Sequence, residues 1–276
     1  MSRPIYSRLV IPRKARDDAI VGLVSQYAPL GFSEEGRDLV ACFRSASAAR
    51  DASLTLAASR IACDLTTDIP EGDPFTSFRE ASRPFPVGRR FWIDPGDPSD
   101  SRSPAGRIPL RLPASRAFGT GSHESTRLAL MALEEGALEG LAVLDVGTGS
   151  AVLALAAAAL GARCAVGCDT DFEAVAVARG NLRLHPFGER VTLVVAAPAA
   201  LRGAFPLIVA NLLPEEFLPI ERSVAARLAS SGRLILSGIP LAGEPRLLAR
   251  LRAKRWRLTG RLTEGEWSCV CLERAS

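Results

Sequence analysis

The sequence predicts an α/β protein: a mostly parallel sheet covered by helices on both faces and closed by an antiparallel hairpin, preceded by a smaller α+β unit. Three observations carry this expectation. From residue 142 onward, short and nearly continuous apolar runs alternate with helix-forming stretches, the pattern of strands buried on both faces. The final segment, RWRLTGRLTEGEWSCVCLER at 255–274, departs from that rhythm with two strand-like runs around a turn near Glu264 and Gly265. The first 85 residues alternate strand and helix signals over a span that suits one compact unit.

In chain order, IYSRLVI at 5–11 reads as a strand, and Ala19, Ile20, Leu23, Val24 and Tyr27 recur at helical spacing behind it. Residues 39–43 are again strand-like, and the alanine-rich stretch 46–62 is helical by propensity. VGRRFWI at 87–93 reads as one strand. Residues 94–107, rich in Asp, Pro, Ser and Gly, form a loop, and IPLRL at 108–112 is its returning strand in a long hairpin. The alternating region then gives strands AVLDV, CAVGCD, VTLVV, PLIVAN and RLILSG. Helices are expected up to Leu160 and over 172–184, 217–228 and 245–254. The boundaries that follow are 1–85 for the first domain, 86–115 for the linking segment and 116–276 for the second domain.

Composition narrows the function classes. The 276 residues are 47% hydrophobic and 23% charged, so disorder is not the default and a sizeable core can form. No run of eighteen apolar residues exists, and the N-terminus lacks the apolar block of a secretory signal, so a cytoplasmic protein is expected, with no membrane partner. The net charge of +4 is mild and carried almost wholly by arginine, short of the concentrated basic face of a nucleic-acid reader. Six cysteines contain no C-x-x-C pair and only two histidines accompany them, so no structural metal is expected. Cys269 and Cys271 alternate in WSCVCL and should share one strand face as packing residues.

The chemistry begins where the first strand of the alternating region turns into a helix. In DVGTGSA, Gly147 and Gly149 stand where a backbone turns tightly and approaches a ligand, with helix amides just beyond. Alone this is a weak signal. Val152 occupies the last glycine position of a dinucleotide fingerprint, which disfavours pyrophosphate. Asp169 ends the second strand twenty residues beyond Gly149, the separation at which an acid reaches ribose hydroxyls, although a strand-end cap for the next helix is the plainer alternative. Asn211 ends the fourth strand at the carboxyl edge, where open α/β sheets bind ligands; Asn is also a common turn former.

FGTGSHESTRLAL at 118–130, VLDVGTGSAVLALAA, GCDTD, VANLL, GRLILSGI and GEW, in this order, resemble the PrmA family of bacterial ribosomal-protein methyltransferases. The match is firm from about Arg116 onward and looser through PFPVGRRFWIDP and IPLRL. The resemblance implies a Rossmann-like class I methyltransferase sheet, a ferredoxin-like N-terminal domain that captures a ribosomal protein, and S-adenosylmethionine as methyl donor. It also implies cofactor contacts at Thr126, Gly147, Gly149, Asp169, Asn211 and Phe118, with Asn211 beside the reactive methyl. His123 falls in the same closing loop and is expected to brace it. A monomer is expected.

Two departures stand out. The family's usual Pro-Gly before the FGTG string is replaced by Pro113-Ala114-Ser115-Arg116, and Ala151 stands where the family usually has glycine. With ordinary helical angles at 151, the expected case, alanine is harmless and favours the helix. Against a packed ligand its methyl would cost roughly 1–3 kcal/mol. A nucleic-acid amine methyltransferase would carry N-P-P-[YF] where this chain has Asn211, Leu212 and Leu213. Methyl transfer to another protein's lysines, or a member that has lost the cofactor, are the remaining alternatives.

Overall fold

The computed structural model describes residues 5–12, 17–27, 29, 31–35, 38–43, 45–70, 84–95, 103–112 and 123–275. They fall in two compact units, Met1–Ala81 and Ser82–Ser276. The altered residues 113–116 and the whole FGTGS string at 118–122, Phe118 included, lie outside the described residues.

The first unit runs β1 (Ile5–Pro12), α1 (Asp17–Ser25), β2 (Gly31–Glu35), β3 (Asp38–Phe43), α2 (Ala46–Ala58) and β4 (Asp64–Pro70). Its sheet has the order β2-β3-β1-β4 and is antiparallel throughout. Leu9, Ile11 and Phe43 from the strands meet Ile20, Val24 and Leu56 from the helices in one core. Ser45 caps α2 by accepting the Ala48 N–H, and the helix stops at Ala58 rather than 62 because Arg60 takes the left-handed conformation at φ 58°. β2 and β4 escape the sequence pattern because they are the two edges of the sheet, and residues 64–67 of β4 have no buried side chain.

The second unit opens with a small sheet of β5 (Phe85–Val87), β6 (Phe91–Asp94) and β7 (Ile108–Arg111). Two expectations are corrected here. Residues 87–93 are not one strand: the chain turns at Gly88, φ 53°, and the Glu134 carboxylate accepts the N–H groups of Arg89 and Arg90 at 2.9–3.0 Å, which fixes the turn. Nor do 87–93 and 108–112 form a hairpin, since β6 pairs with β7 in parallel, Phe91 opposite Ile108 and Asp94 opposite Arg111. The connection is long enough to return the chain to the starting end, which a parallel pair requires.

The main body then comprises α3 (Glu124–Glu134), β8 (Ala142–Val146), α4 (Val152–Ala159), β9 (Cys164–Asp169), α5 (Phe172–Leu182), β10 (Val191–Val195), β11 (Phe205–Asn211), α6 (Pro214–Arg227), β12 (Leu228–Pro240), α7 (Glu244–Ala253), β13 (Trp256–Glu264) and β14 (Trp267–Arg274). The seven-stranded sheet has the order β10-β9-β8-β11-β12-β14-β13. β8 to β12 are parallel, and β14 inserts antiparallel between β12 and β13. Strand residues alternate between two cores: Val143 and Val209 pack with α3 and α4, while Leu144 and Ile208 pack with α6 and α7. Cys269 and Cys271 join the first of these cores from one face of β14. Among the described residues no helix is long and apolar enough to cross a membrane.

Ala151 does not have helical angles. It is fully buried at φ 65°, ψ 19°, the left-handed conformation, immediately before α4. The expectation that alanine is harmless there is therefore overturned: its Cβ crowds the following carbonyl at a cost of roughly 1–2 kcal/mol, and a glycine would escape that cost. Ala151→Gly should stabilise the chain by about 0.5–1 kcal/mol, the relief of strain less the added freedom of the unfolded glycine. Thermal unfolding should show a midpoint about 1–4 °C higher. A lower midpoint would contradict the strain.

Candidate active site

The chain leaves β8 toward β9 and β10 on one side and later returns to β11 and β12 on the other, so a crevice opens at the carboxyl ends of β8 and β11. A cavity of about 990 Å³ occupies it. Thr126, Gly147, Gly149, Asp169 and Asn211 all line this cavity, together with His123 and Trp267. Phe118 falls outside the described residues.

The glycine turn is held from below. The Cys168 carbonyl accepts the N–H groups of Gly147 and Thr148, and Asp169 Oδ2 accepts the Gly149 N–H at 3.0 Å. Gly147 has φ 70°, and a Cβ there would come within 2.7 Å of Leu212 Cδ2, so the loop both needs and exposes a bare backbone at this point. Asp169 Oδ1 accepts the Asp171 N–H at 3.0 Å. The cap of α5 is Asp171, whose side chain accepts from Glu173 N, and not Asp169. Each Asp169 oxygen retains acceptor capacity, and the side chain is only partly buried, so a vicinal diol can be gripped there.

On the other side of β8, Asn211 Nδ2 donates to Thr126 Oγ1 at 3.1 Å. Thr126 is fully buried in the first turn of α3, and Ser237 Oγ on β12 donates to the Ser125 carbonyl at 2.7 Å, so α3 is tied to the sheet edge at two points. One amide N–H goes to Thr126, which fixes the side chain and leaves Asn211 Oδ1 as an acceptor in the cavity wall. Gly238, φ 80°, leaves room for it: a Cβ there would stand 3.0 Å from Asn211 Oδ1 and 2.8 Å from the Leu212 carbonyl oxygen. Two acceptors thus converge beside a position kept free of a side chain, an arrangement that orients an N–H donor.

His123 is the N-cap of α3, with Nδ1 3.2 Å from Ser125 N and 2.8 Å from Ser125 Oγ. Its ring meets Trp267 edge-on at 4.8 Å. Arg127 donates twice to Glu264 Oε1, at 2.9 and 2.7 Å, and so links α3 to the turn of the β13–β14 hairpin. Trp267 was visible in the sequence only as part of GEW; its place in the cavity wall follows from the antiparallel return of β14.

Asp145 is not among the expected ligand contacts, yet a carboxylate inside the apolar run AVLDV is a legible anomaly. It is fully buried; Oδ2 accepts from Thr148 Oγ1 at 2.7 Å and from Ala154 N at 3.1 Å, and among the described residues Oδ1 has no hydrogen-bond partner. Burial pushes its carboxyl up to about 7, against the lowering effect of those two hydrogen bonds. Between the unfolded value of 3.8 and about 7 the folded chain keeps this proton while the unfolded chain has lost it. Stability from this group is therefore greatest below that window and falls as pH rises through it, by up to about 4 kcal/mol. Asp145→Asn should flatten the fall. Denaturant titrations of both chains from pH 4 to 8 check this, and parallel profiles would contradict it.

Among the described residues no three His, Cys, Asp or Glu side chains gather as a metal site. Four carboxylates, Asp169, Asp171, Glu173 and Glu216, line the cavity, and no Lys or Arg is among its described lining residues. The site suits a ligand that is neutral or positively charged, with a diol at the β9 end and a hydrogen-bond donor at the β11 end.

The chain is similar to several known proteins. The family model described as ribosomal protein L11 methyltransferase (PrmA) matches residues 31–275. The chain is 40% identical over 204 residues to the ribosomal protein L11 methyltransferase of Geobacter metallireducens, covering 74% of this chain and 67% of that one. It is 37% identical over 218 residues to the protein of the same name from Pelobacter propionicus, covering 77% and 70%. Among solved structures it resembles a ribosomal protein L11 methylase from Lactobacillus delbrueckii subsp. bulgaricus, with a TM-score of 0.64 and 29% identity over 70% of this chain and all of that one.

Proposed function

The chain belongs to the ribosomal protein L11 methyltransferase (PrmA) family, and from that premise we propose that it transfers methyl groups from S-adenosylmethionine to lysine or N-terminal amines of ribosomal protein L11. The observation that carries this most directly is the Thr126–Asn211 pair beside Gly238, which sets two oxygen acceptors at the β11 end of the cavity. Asp169 and the Gly147–Gly149 turn are assigned to the ribose and adjoining part of the donor. The absence of cations among the described lining residues fits its sulfonium. The first unit is assigned to holding the protein substrate, and the cytoplasm, where ribosomes are made, is its place of action.

S-adenosylmethionine supplies a methyl group already electrophilic on sulfur, and in-line displacement leaves S-adenosylhomocysteine. The residues need only hold the acceptor in line. Positioning of this kind can supply up to roughly 7–11 kcal/mol of the barrier. The acceptor nitrogen must be uncharged when it attacks. A free lysine has a pKa of about 10.4, so deprotonation at pH 7 costs roughly 4–5 kcal/mol, against about 1–1.5 for an N-terminal amine. Leu212, Val146 and Trp267 in the cavity wall lower that cost by disfavouring the ammonium. Asn211 Oδ1 and the Leu212 carbonyl accept the remaining N–H bonds and aim the lone pair, while solvent takes the proton.

Isothermal calorimetry tests the donor assignment. Binding of S-adenosylmethionine at micromolar concentration is expected, and none at millimolar concentration would exclude the activity.

A further inference from the structure

One carboxylate of the cavity stands apart from the other three. Asp169, Asp171 and Glu173 belong to β9 and the start of α5, whereas Glu216 is on α6, five residues beyond Asn211, and lines the cavity with Leu212, Leu213 and Ile220. Its Oε2 accepts the Leu213 N–H at 2.9 Å, which fixes the side chain at the first turn of α6. Glu216 is exposed, and Leu213 beside it is 41% exposed, so this flank of the cavity opens to solvent. Among the described residues Glu216 has no ion-pair partner, and its second oxygen accepts no hydrogen bond.

We propose that Glu216 recruits the acceptor at the cavity mouth, where it binds the ammonium form of an incoming lysine side chain before that amine reaches Asn211. This rests on the methyl-transfer function given above and adds the residue that selects a cationic acceptor. The division of labour follows from electrostatics. A negative charge at a wet rim attracts the ammonium and holds it protonated, which helps capture and would hinder attack. Further in, Leu212 and Trp267 strip water from the amine and the two carbonyl-type oxygens take over. Recruitment and chemistry are therefore separate in space, and a change at Glu216 acts on acceptor capture and leaves the bond-making step alone.

Glu216→Gln tests this without dismantling the helix start, because the amide oxygen can still accept from Leu213 N. Steady-state kinetics with ribosomal protein L11 should show the acceptor KM about three- to fivefold higher, as for a solvent-exposed ion pair, with kcat within about twofold. The gap from wild type should shrink as salt is raised. Glu215→Gln, a neutral substitution next door and outside the cavity wall, should leave KM unchanged. An unchanged KM in Glu216→Gln, or an equal rise in Glu215→Gln, overturns the proposal. So does a loss that appears in the S-adenosylmethionine dissociation constant by calorimetry, since the carboxylate would then serve the donor's own ammonium. Failure of the wild-type chain to methylate L11 in the same assay would overturn the underlying function, and this proposal with it.

Discussion

Replacing Asp169 with alanine is expected to weaken S-adenosylmethionine binding about a hundred- to a thousandfold. The carboxylate has two tasks that alanine cannot share. In the proposed donor site it is the acceptor at the end of β9 for the ribose hydroxyls, and a hydrogen bond to a charged group contributes roughly 1.5–3 kcal/mol. It also accepts the N–H groups of Gly149 and Asp171, each at 3.0 Å, so its loss frees the turn that must lie against the donor. A hundred- to a thousandfold corresponds to roughly 3–4 kcal/mol, the lower part of the range for two such bonds. Asp169→Asn, which keeps one acceptor oxygen and loses the charge, should fall between. Calorimetry reads both variants, and a dissociation constant within about threefold of wild type for Asp169→Ala would remove the residue from the donor site.

Asn211→Ala should separate the two halves of the cavity. The substitution deletes the Oδ1 acceptor and leaves Thr126 Oγ1, in the fully buried first turn of α3, without the 3.1 Å donor it now has. In the proposed mechanism the amine is then held by the Leu212 carbonyl alone, and misplacement by about 1 Å costs on the order of a hundredfold in rate. A drop in kcat of about a hundred- to a thousandfold is expected, with the S-adenosylmethionine dissociation constant changed by less than about fivefold. Single-turnover transfer and calorimetry on the same preparation make the comparison. Wild-type transfer with normal donor binding would show that Asn211 orients nothing.

The parts of the site that were legible in the sequence are those that end strands. Asp169 and Asn211 follow apolar runs closed by a single polar residue, and in a parallel sheet that position is the functional edge. Gly147 and Gly149 were legible as a tight turn between a strand and a helix, a weak signal until Asp169 and Asn211 stand behind it. Thr126 is different: its place beside Asn211 depends on how α3 packs across the sheet edge, and only the resemblance to a known family pointed to it. Trp267 arrives by the antiparallel return of β14, a long-range pairing that no local pattern encodes.

Elsewhere the local signal was present and the geometry was not. Residues 87–93 have the composition of one strand, but the turn at Gly88 is imposed by Glu134, more than forty residues away. The pairing direction of β6 and β7 depends on the path of the loop between them. Ala151 is the sharpest case, because alanine is the residue least suited to announce a left-handed angle; the conformation comes from the turn that Asp145, Cys168 and Asp169 hold in place.

The most direct test of the account is to incubate the purified chain with isotopically labelled S-adenosylmethionine and ribosomal protein L11 and to map the product by mass spectrometry. Labelled methyl groups on lysine or N-terminal nitrogens of L11, lost in Asn211→Ala, are the predicted result. An unlabelled L11 in the presence of demonstrated donor binding would contradict it.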